Sequence, residues 1–444
     1  MAEIFPFRAT SYNLKAITDL SKVVTQPYDK ITPEVQESCY ERDPHNLVRI
    51  LLGRAEPEDN DRENVYTRAS RTFKRWMDEE ILVPQRQAAL YPYFQQYQLP
   101  GRPGLRQMRK GFIGLTKLEE YSKGIVHRHE ETHSGPKQDR LELLKSTRAH
   151  FGQLLVLYPD PAGEIERILD AATDHPAWMQ VTDDYGVLHR VWRSRREQEI
   201  LDIVAKMKDK PLVMGDGHHR YETALAYRRL RQEQGAEDSR ADFVMMTFVR
   251  MESNGLTILP THRLLHSLDS FHWEQFRKKA ADLFELEEVD LSSTEREKGF
   301  QDRLAQTRGE RPTLGVRAGE VAGGLLMRLR PDIDLAKLLP DCPPEQRDLD
   351  VVILHRLVIE RLLGITKDAV RKQTNIRYVR EWDQGVQAVS SGEAQLCFFL
   401  NSTPIKKMVE NALADLPLPQ KSTDFYPKLL SGLAIYWMDN PLGL

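Results

Sequence analysis

Apolar positions recur along the chain in two alternating rhythms, one near two residues and one near 3.6, and this alternation predicts a mixed α/β protein. Residues 89–99 (ALYPYFQQYQL) and 111–118 (GFIGLTKL) are aromatic and β-branched, as strands favour, and PGRPG between them predicts a turn. From Pro136 the pattern becomes a helix running to about His150, with Leu141, Leu143 and Leu144 as its apolar face. LLVLY at 154–158 predicts a short buried strand, stopped by PDPAG. An amphipathic helix is expected over 194–208, a strand over 211–214, and another helix from about His218 to Gln234. In that last helix Tyr221, Ala224 and Leu225 share one face, while Arg228, Arg229 and Arg231 are expected to look outward. Two strands, ADFVMMTFV and LTIL, follow. After about Ser270 charged helices (WEQFRKKAADLF, STEREKGFQDRLAQ) alternate with strands. Residues 350–363 then form the most apolar helix, striped by Val351, Leu354, Val358 and Leu362. This change of texture divides the chain into an N-terminal α/β region, 1–270, and a C-terminal α/β region, 271–444.

Composition narrows the function classes. Among 444 residues, 63 Lys+Arg stand against 66 Asp+Glu, a net charge of −3 that argues against an electrostatic nucleic-acid binder. Hydrophobic residues at 40% and charged residues at 29% are globular values, which excludes a disordered or coiled-coil chain. No apolar stretch approaches the length of a membrane span, and MAEIFPFRATSYN lacks the layout of a signal peptide. Cys39, Cys342 and Cys397 are scattered, with no CxxC to suggest a disulfide framework or thiolate zinc site. The expectation is a soluble cytoplasmic protein with no membrane partner, its oligomeric state open.

Chemistry concentrates in three boxes. In Gly215-Asp216-Gly217-His218-His219-Arg220 a strand ends in a double-glycine turn and feeds a helix. The unpaired N–H groups of a helix start, with the positive end of its dipole, make an anion site. Two imidazoles and a guanidinium there add donors where phosphate oxygens would sit. Asp216 is placed to hold a metal ion or orient a hydroxyl. The box lacks the GK[ST] of a Walker loop and the third glycine of a dinucleotide fingerprint. The alternative is a helix cap with its histidines satisfied by carbonyls.

The second box, His129-Glu130-Glu131-Thr132-His133, spells the HExxH of zinc proteases. That signature works only inside a helix, where both histidines share a face. Here a strand end precedes it and Ser134-Gly135-Pro136 follows, so a loop is expected and a zinc hydrolase is the lesser reading. The loop leaves Glu130 as a carboxylate for general-base work, with Lys137 and Arg140 on the next helix. The third box runs from Pro419 to Lys428, where Lys421, Ser422 and Thr423 in a Pro-bounded loop are suited either to closing over phosphate or to an ordinary turn. Gln26-Pro27-Tyr28-Asp29 and Pro260-Thr261-His262-Arg263 read more simply as structure.

These motifs together resemble the bacterial and archaeal family called domain of unknown function 1015. The resemblance rests on PFRA, QPYDKI, HEETHSGPKQDRLELL, GDGHHRYETAL, LPTHRLL, LDVVILHRLVIERLLGI and LPQKSTDFYPKLLSGL, in the family's order and across nearly all of the chain. Gly215 stands where the family pattern has Ala, and His127-Arg128 replaces a Pro-containing lead-in. Over about a dozen residues GDGHHRYETA is also similar to the nucleotide-phosphate box of the ParB/sulfiredoxin-like fold, one branch of which phosphorylates free L-serine. That resemblance implies a ParB-like nucleotide-binding core with a second α/β region, and a kinase using ATP or ADP with Mg²⁺ on a small hydroxyl amino acid. Carried over, Asp216 would act on the hydroxyl or the metal, and His218, His219 and Arg220 would contact phosphates, with Gly215 and Gly217 shaping the turn. Lys137, Arg140, Lys421, Ser422 and Thr423 are further candidates for phosphate or carboxylate contacts. A non-enzymatic nucleotide sensor or DNA-associated regulator, by analogy with ParB, is the alternative.

Overall fold

The computed structural model describes residues 2–102, 104–131, 135–235, 239–269 and 271–443. Packing divides the chain into two units. Residues 1–128, 132–257 and 427–444 make the first, and residues 129–131 and 258–426 the second. Both mix helix and strand, as the two rhythms predict.

Among the described residues of the first unit, nine strands form one mixed sheet. They are β1 (Ile4–Phe5), β2 (Tyr91–Gln98), β3 (Arg106–Lys117), β4 (Val126–His127), β5 (Leu154–Tyr158), β6 (Met179–Thr182), β7 (Leu188–Val191), β8 (Leu212–Asp216) and β9 (Phe243–Arg250). Their order is β4-β8-β5-β9-β3-β2-β7-β6, with β1 beside β3. β2 and β3 form a hairpin paired from Tyr91↔Ile113 to Gln98↔Arg106. This pairing carries β3 back to Arg106 rather than to 111, because the polar residues before Gly111 are held by their partner strand. β5 runs parallel to β9 and antiparallel to β8. Every residue of β5 is buried, as expected of a strand covered on both faces.

Helices α1 (Val65–Asp78), α2 (Gly135–Thr147), α3 (Glu197–Met207) and α4 (His218–Glu233) belong to this unit, and α2 packs on α4. Leu154 and Val156 of β5, Met214 of β8, Phe248 of β9, and Tyr221 and Ala224 of α4 share one core. Burying each larger side chain contributes about 1.5–3 kcal/mol, which fixes the turn between β8 and α4 from both sides. One expectation needs correction: Arg228 is not turned outward. It is largely buried, donates to the Leu118 carbonyl, and pairs with Glu120 at 2.9 Å; Arg229 is exposed. The segment 427–444 returns to this unit, and its Tyr436–Trp437 pairs antiparallel with Ala149–His150.

Among its described residues the second unit is built on a six-stranded antiparallel sheet of β10 (His262–Leu265), β11 (Phe284–Asp290), β12 (Thr313–Ala318), β13 (Gly323–Leu329), β14 (Ile376–Val379) and β15 (Leu396–Phe399). The order is β11-β13-β12-β15-β10-β14. Phe300 and Leu304, on the apolar face of the helix Thr294–Gln306, pack with Cys397 and Phe399. The apolar stretch 350–363 is helical but not uniformly α. Asp350–Ile353 is α, and Leu354–Leu362 is a π-helix, in which the Leu363 N–H reaches the Val358 carbonyl. Its consecutive residues Leu357, Val358 and Ile359 are all buried, which a single α stripe would not achieve. Among the described residues no helix is long and apolar enough to cross a membrane.

Candidate functional site

The GDGHHR box sits where β8 gives way to α4. Pairing of β8 with β5 slips between Met214 and Asp216, so Gly215 is a bulge that re-aims the end of the strand. Gly217 follows at φ +95°, a left-handed conformation. A Cβ there would lie 2.6 Å from Leu154 Cδ2 and 3.0 Å from Arg220 Nη2, so only glycine fits this turn. Gly217 is also the N-cap of α4, and no side chain caps the helix start. His218 opens the helix and is buried; His219 is half-buried, and its carbonyl accepts the Thr223 hydroxyl at 2.8 Å. Arg220 Nη1 donates to the Gln153 carbonyl at 2.8 Å, which ties the guanidinium to the start of β5.

Asp216 is surrounded by cations. Lys428 Nζ donates to Asp216 Oδ2 at 2.7 Å, with the two side chains 10% and 27% exposed. Burial pushes the Asp216 carboxyl up. The opposing charges of Lys428, Arg220 and Lys30 outweigh it and hold the group well below the usual carboxylate range. So acidic a carboxylate is a poor proton acceptor and is well suited to holding and orienting cations. Lys428 is itself positioned through its backbone: Gln95 Nε2 donates to its carbonyl at 2.8 Å, and the buried Arg109 donates to the neighbouring Pro427 carbonyl. Arg109 also grips Gln95 Oε1 at 2.9 Å, so one network fixes both the lysine and the strand pair beneath it. Lys428, Arg220 and Lys30 thus all bear on one carboxylate at a helix start, an electropositive setting of the kind that suits an anion.

The α2 candidates point to different tasks. Lys137 pairs with Glu222 of α4. Arg140 is buried, donates to Asp139 Oδ2 at 2.6 Å and to the Leu51 carbonyl at 2.7 Å, and lies 4.3 Å from the centre of the Tyr28 ring. Its charge is matched by Asp139, so Arg140 serves the packing of 28, 51 and α2 before any ligand.

In the second unit Glu130 meets the 421–423 loop. Its carboxylate accepts the Lys421 N–H at 3.2 Å, the Thr423 N–H at 2.8 Å and the Thr423 hydroxyl at 2.8 Å. Lys421 has φ +59°, and its carbonyl accepts Arg263 Nη2 at 2.9 Å; Ser422 is buried, its carbonyl accepting the Thr403 hydroxyl at 2.9 Å. Glu130 thus replaces the sheet partners that these loop amides lack. His129 is buried, and its Nε2 lies 2.5 Å from the Thr423 hydroxyl. The backbone at 129–131 is extended against Leu418, so the helix that an HExxH zinc site requires is not formed at His129; His133 lies outside the described residues.

Among the described residues no group of three or more His, Cys, Asp or Glu is placed to hold a metal ion. Asp216, already matched by Lys428, does not fit Mg²⁺ as a protein ligand. Lys428 and Lys30 are the residues that sequence reasoning does not assign to this site. Lys30 was within reach in QPYDKI, and Lys428 in LPQKSTDFYPKLLSGL, but nothing local ties either lysine to Asp216.

The sequence matches the model of a family described as "Protein of unknown function (DUF1015)" over residues 4–329. No curated protein matches it. Among solved structures, it is similar to a conserved hypothetical protein from Pyrococcus furiosus, at 9% identity and TM-score 0.34, covering 71% of this chain and 92% of that one. A free serine kinase variant in complex with ADP gives 9% identity and TM-score 0.35, covering 72% and 91%. SbnI with a C-terminal truncation, from Staphylococcus aureus, gives 12% identity and TM-score 0.34, covering 74% and 90%. Likenesses of this size leave the chemistry to be argued from this chain's own residues.

Proposed function

The chain belongs to the DUF1015 family, and we propose from its site that it is a phosphotransferase, moving a phosphoryl group from ATP or ADP to the hydroxyl of a small amino acid, free L-serine first. The observation that carries this reading is the convergence of Lys428, Arg220 and Lys30 on Asp216 at the start of α4. Phosphoryl transfer asks mainly for positioning and for neutralisation of charge spread over phosphate oxygens, and little covalent chemistry from the protein. The residue types of the box, two imidazoles and a guanidinium at a helix start, supply that, and the likeness of GDGHHR to nucleotide-phosphate boxes points the same way.

In this reading His218, His219 and Arg220 hold the phosphates, and Gly215 and Gly217 let the backbone approach them. Asp216 positions Arg220 and Lys428. The bond from phosphorus to the nucleotide's bridging oxygen breaks, a bond to the substrate hydroxyl forms, and the hydroxyl proton is released. The test incubates the folded full chain with L-serine and either ATP or ADP and measures O-phosphoserine. Turnover is expected with one donor, and Asp216→Asn and His218→Ala should each lower it by orders of magnitude while remaining folded. No phosphoserine with either donor refutes the reading.

A further inference from the structure

Beside Arg220 the first unit has a half-open pocket of about 60 Å³ lined by Tyr28, Arg140, His150, Arg220, Thr223 and Ser431, with Leu143 and Leu144 among its apolar residues. By the volume one water needs, this is room for about four waters or a small organic molecule. Three features make it a built site. His150 Nε2 is buried without a hydrogen-bond partner, although the ring itself is fixed by stacking on Tyr436 at 5.9 Å and 6°. A buried nitrogen left so is an open offer of a hydrogen bond to whatever enters. Burial and the charge of Arg220 also lower the His150 pKa to about 4, so the imidazole is neutral at physiological pH and adds no second positive charge. Gly152 lets the polar groups converge, since a Cβ there would lie 2.9 Å from Ser431 Oγ and 3.2 Å from Arg220 Nη1.

The two guanidinia of the cavity differ. Arg140 is matched by Asp139 at 2.6 Å, whereas Arg220 spends Nη1 on a neutral carbonyl and shares Asp216 with Lys428 and Lys30. The charge left to be met inside the cavity is therefore a single positive one, on Arg220, beside a neutral imidazole and the hydroxyls of Tyr28, Thr223 and Ser431. We propose that this cavity binds a small carboxylic acid carrying an amino or hydroxyl group, its carboxylate on Arg220 and its second polar group on His150 Nε2. The size selects acids of about three carbons. Resting on the phosphotransferase reading, the cavity is the acceptor's pocket, and Arg220 links it to the phosphate cradle.

The experiment titrates the full chain, without nucleotide, with L-serine, D-glycerate and L-serine methyl ester, and reads binding by calorimetry and ligand-observed NMR. The acids are expected to bind, and the ester, which lacks the carboxylate, at least tenfold more weakly. His150→Phe keeps the stacked ring but removes the nitrogen, and should weaken acid binding at least tenfold. Ser431→Ala provides a second, smaller probe should the first variant misfold. Failure of both acids to bind at millimolar concentration, equal binding of acid and ester, or unchanged affinity in both folded variants overturns the proposal. The two readings fail separately. Acid binding without phosphoryl transfer leaves the pocket standing and removes the phosphotransferase. Transfer with an unchanged KM for the acid in His150→Phe does the reverse.

Discussion

Removing either partner of the Asp216–Lys428 pair should loosen the first unit by an amount the geometry sets. At 2.7 Å and an effective dielectric of about 20, the attraction is about 6 kcal/mol before desolvation. Withdrawing both groups from water offsets most of it, and what remains is close to a charged hydrogen bond, about 1.5–3 kcal/mol. Because Asp216 is 27% exposed, the lower half of that range is the expectation, about 2 kcal/mol. The assay is a double-mutant cycle of Asp216→Asn, Lys428→Met and the double variant. A chain of two units need not unfold in one step, so stability is read from hydrogen exchange of the β5 and β8 amides, which report on this unit alone. The sign with pH follows from the depressed carboxyl. Its stabilisation is fully present above the unfolded pKa of about 3.9 and is lost as pH falls through the folded value, so the coupling is complete at pH 7 and shrinks in acid. A coupling below about 0.5 kcal/mol at pH 7 would refute the cationic cradle itself, since Lys428 would not be held against Asp216.

Gly217→Ala should cost about 2–4 kcal/mol, from a left-handed φ of +95° and a Cβ 2.6 Å from Leu154, and should displace Arg220; normal exchange protection at β5 would contradict this. Asp350 in the second unit has its pKa raised by burial to about 7, against backbone and Asn401 hydrogen bonds that lower it. Its folded form keeps the proton longer than the unfolded chain, so stability of that unit should fall between about pH 4 and pH 7, by at most about 4 kcal/mol. Asp350→Asn should flatten that slope, and an unchanged pH profile of exchange would count against it. Glu130→Gln keeps an acceptor but loses the charge that holds two loop amides, and should destabilise the 421–423 loop by about 1–3 kcal/mol; unchanged proteolysis of the loop would show the anchor to be dispensable.

Local structure was legible wherever one segment decides its own fate. LLVLY is a strand over the predicted residues 154–158, and the helix after Gly217 runs from His218 to Glu233, because burial pattern and turn chemistry agree there. The π turn at 354–362 left no trace, since an apolar run has the same composition in either helix. Arg228 shows the limit of reading one helix by itself: its face looked polar, but Leu118 and Glu120 come to meet it from another part of the chain. The candidate site divides the same way. Gly215, Gly217 and the HHR that follows are contiguous and could be read as a unit. The counter-charge on Asp216 depends on Lys428, and the commitments of Glu130 on residues near 421; no spacing rule connects residues so far apart.

The chain order of that lysine sets a schedule for biogenesis. During translation the strands that carry Asp216 leave the ribosome well before 427–444, with the whole of 258–426 made in between. Until then Asp216 lacks its nearest cation, and Ala149–His150 lacks the strand it pairs with. The first unit therefore waits, incomplete, for the last of its residues, and slow closure of so long a loop makes that interval the stage at which a chaperone or a protease would find it.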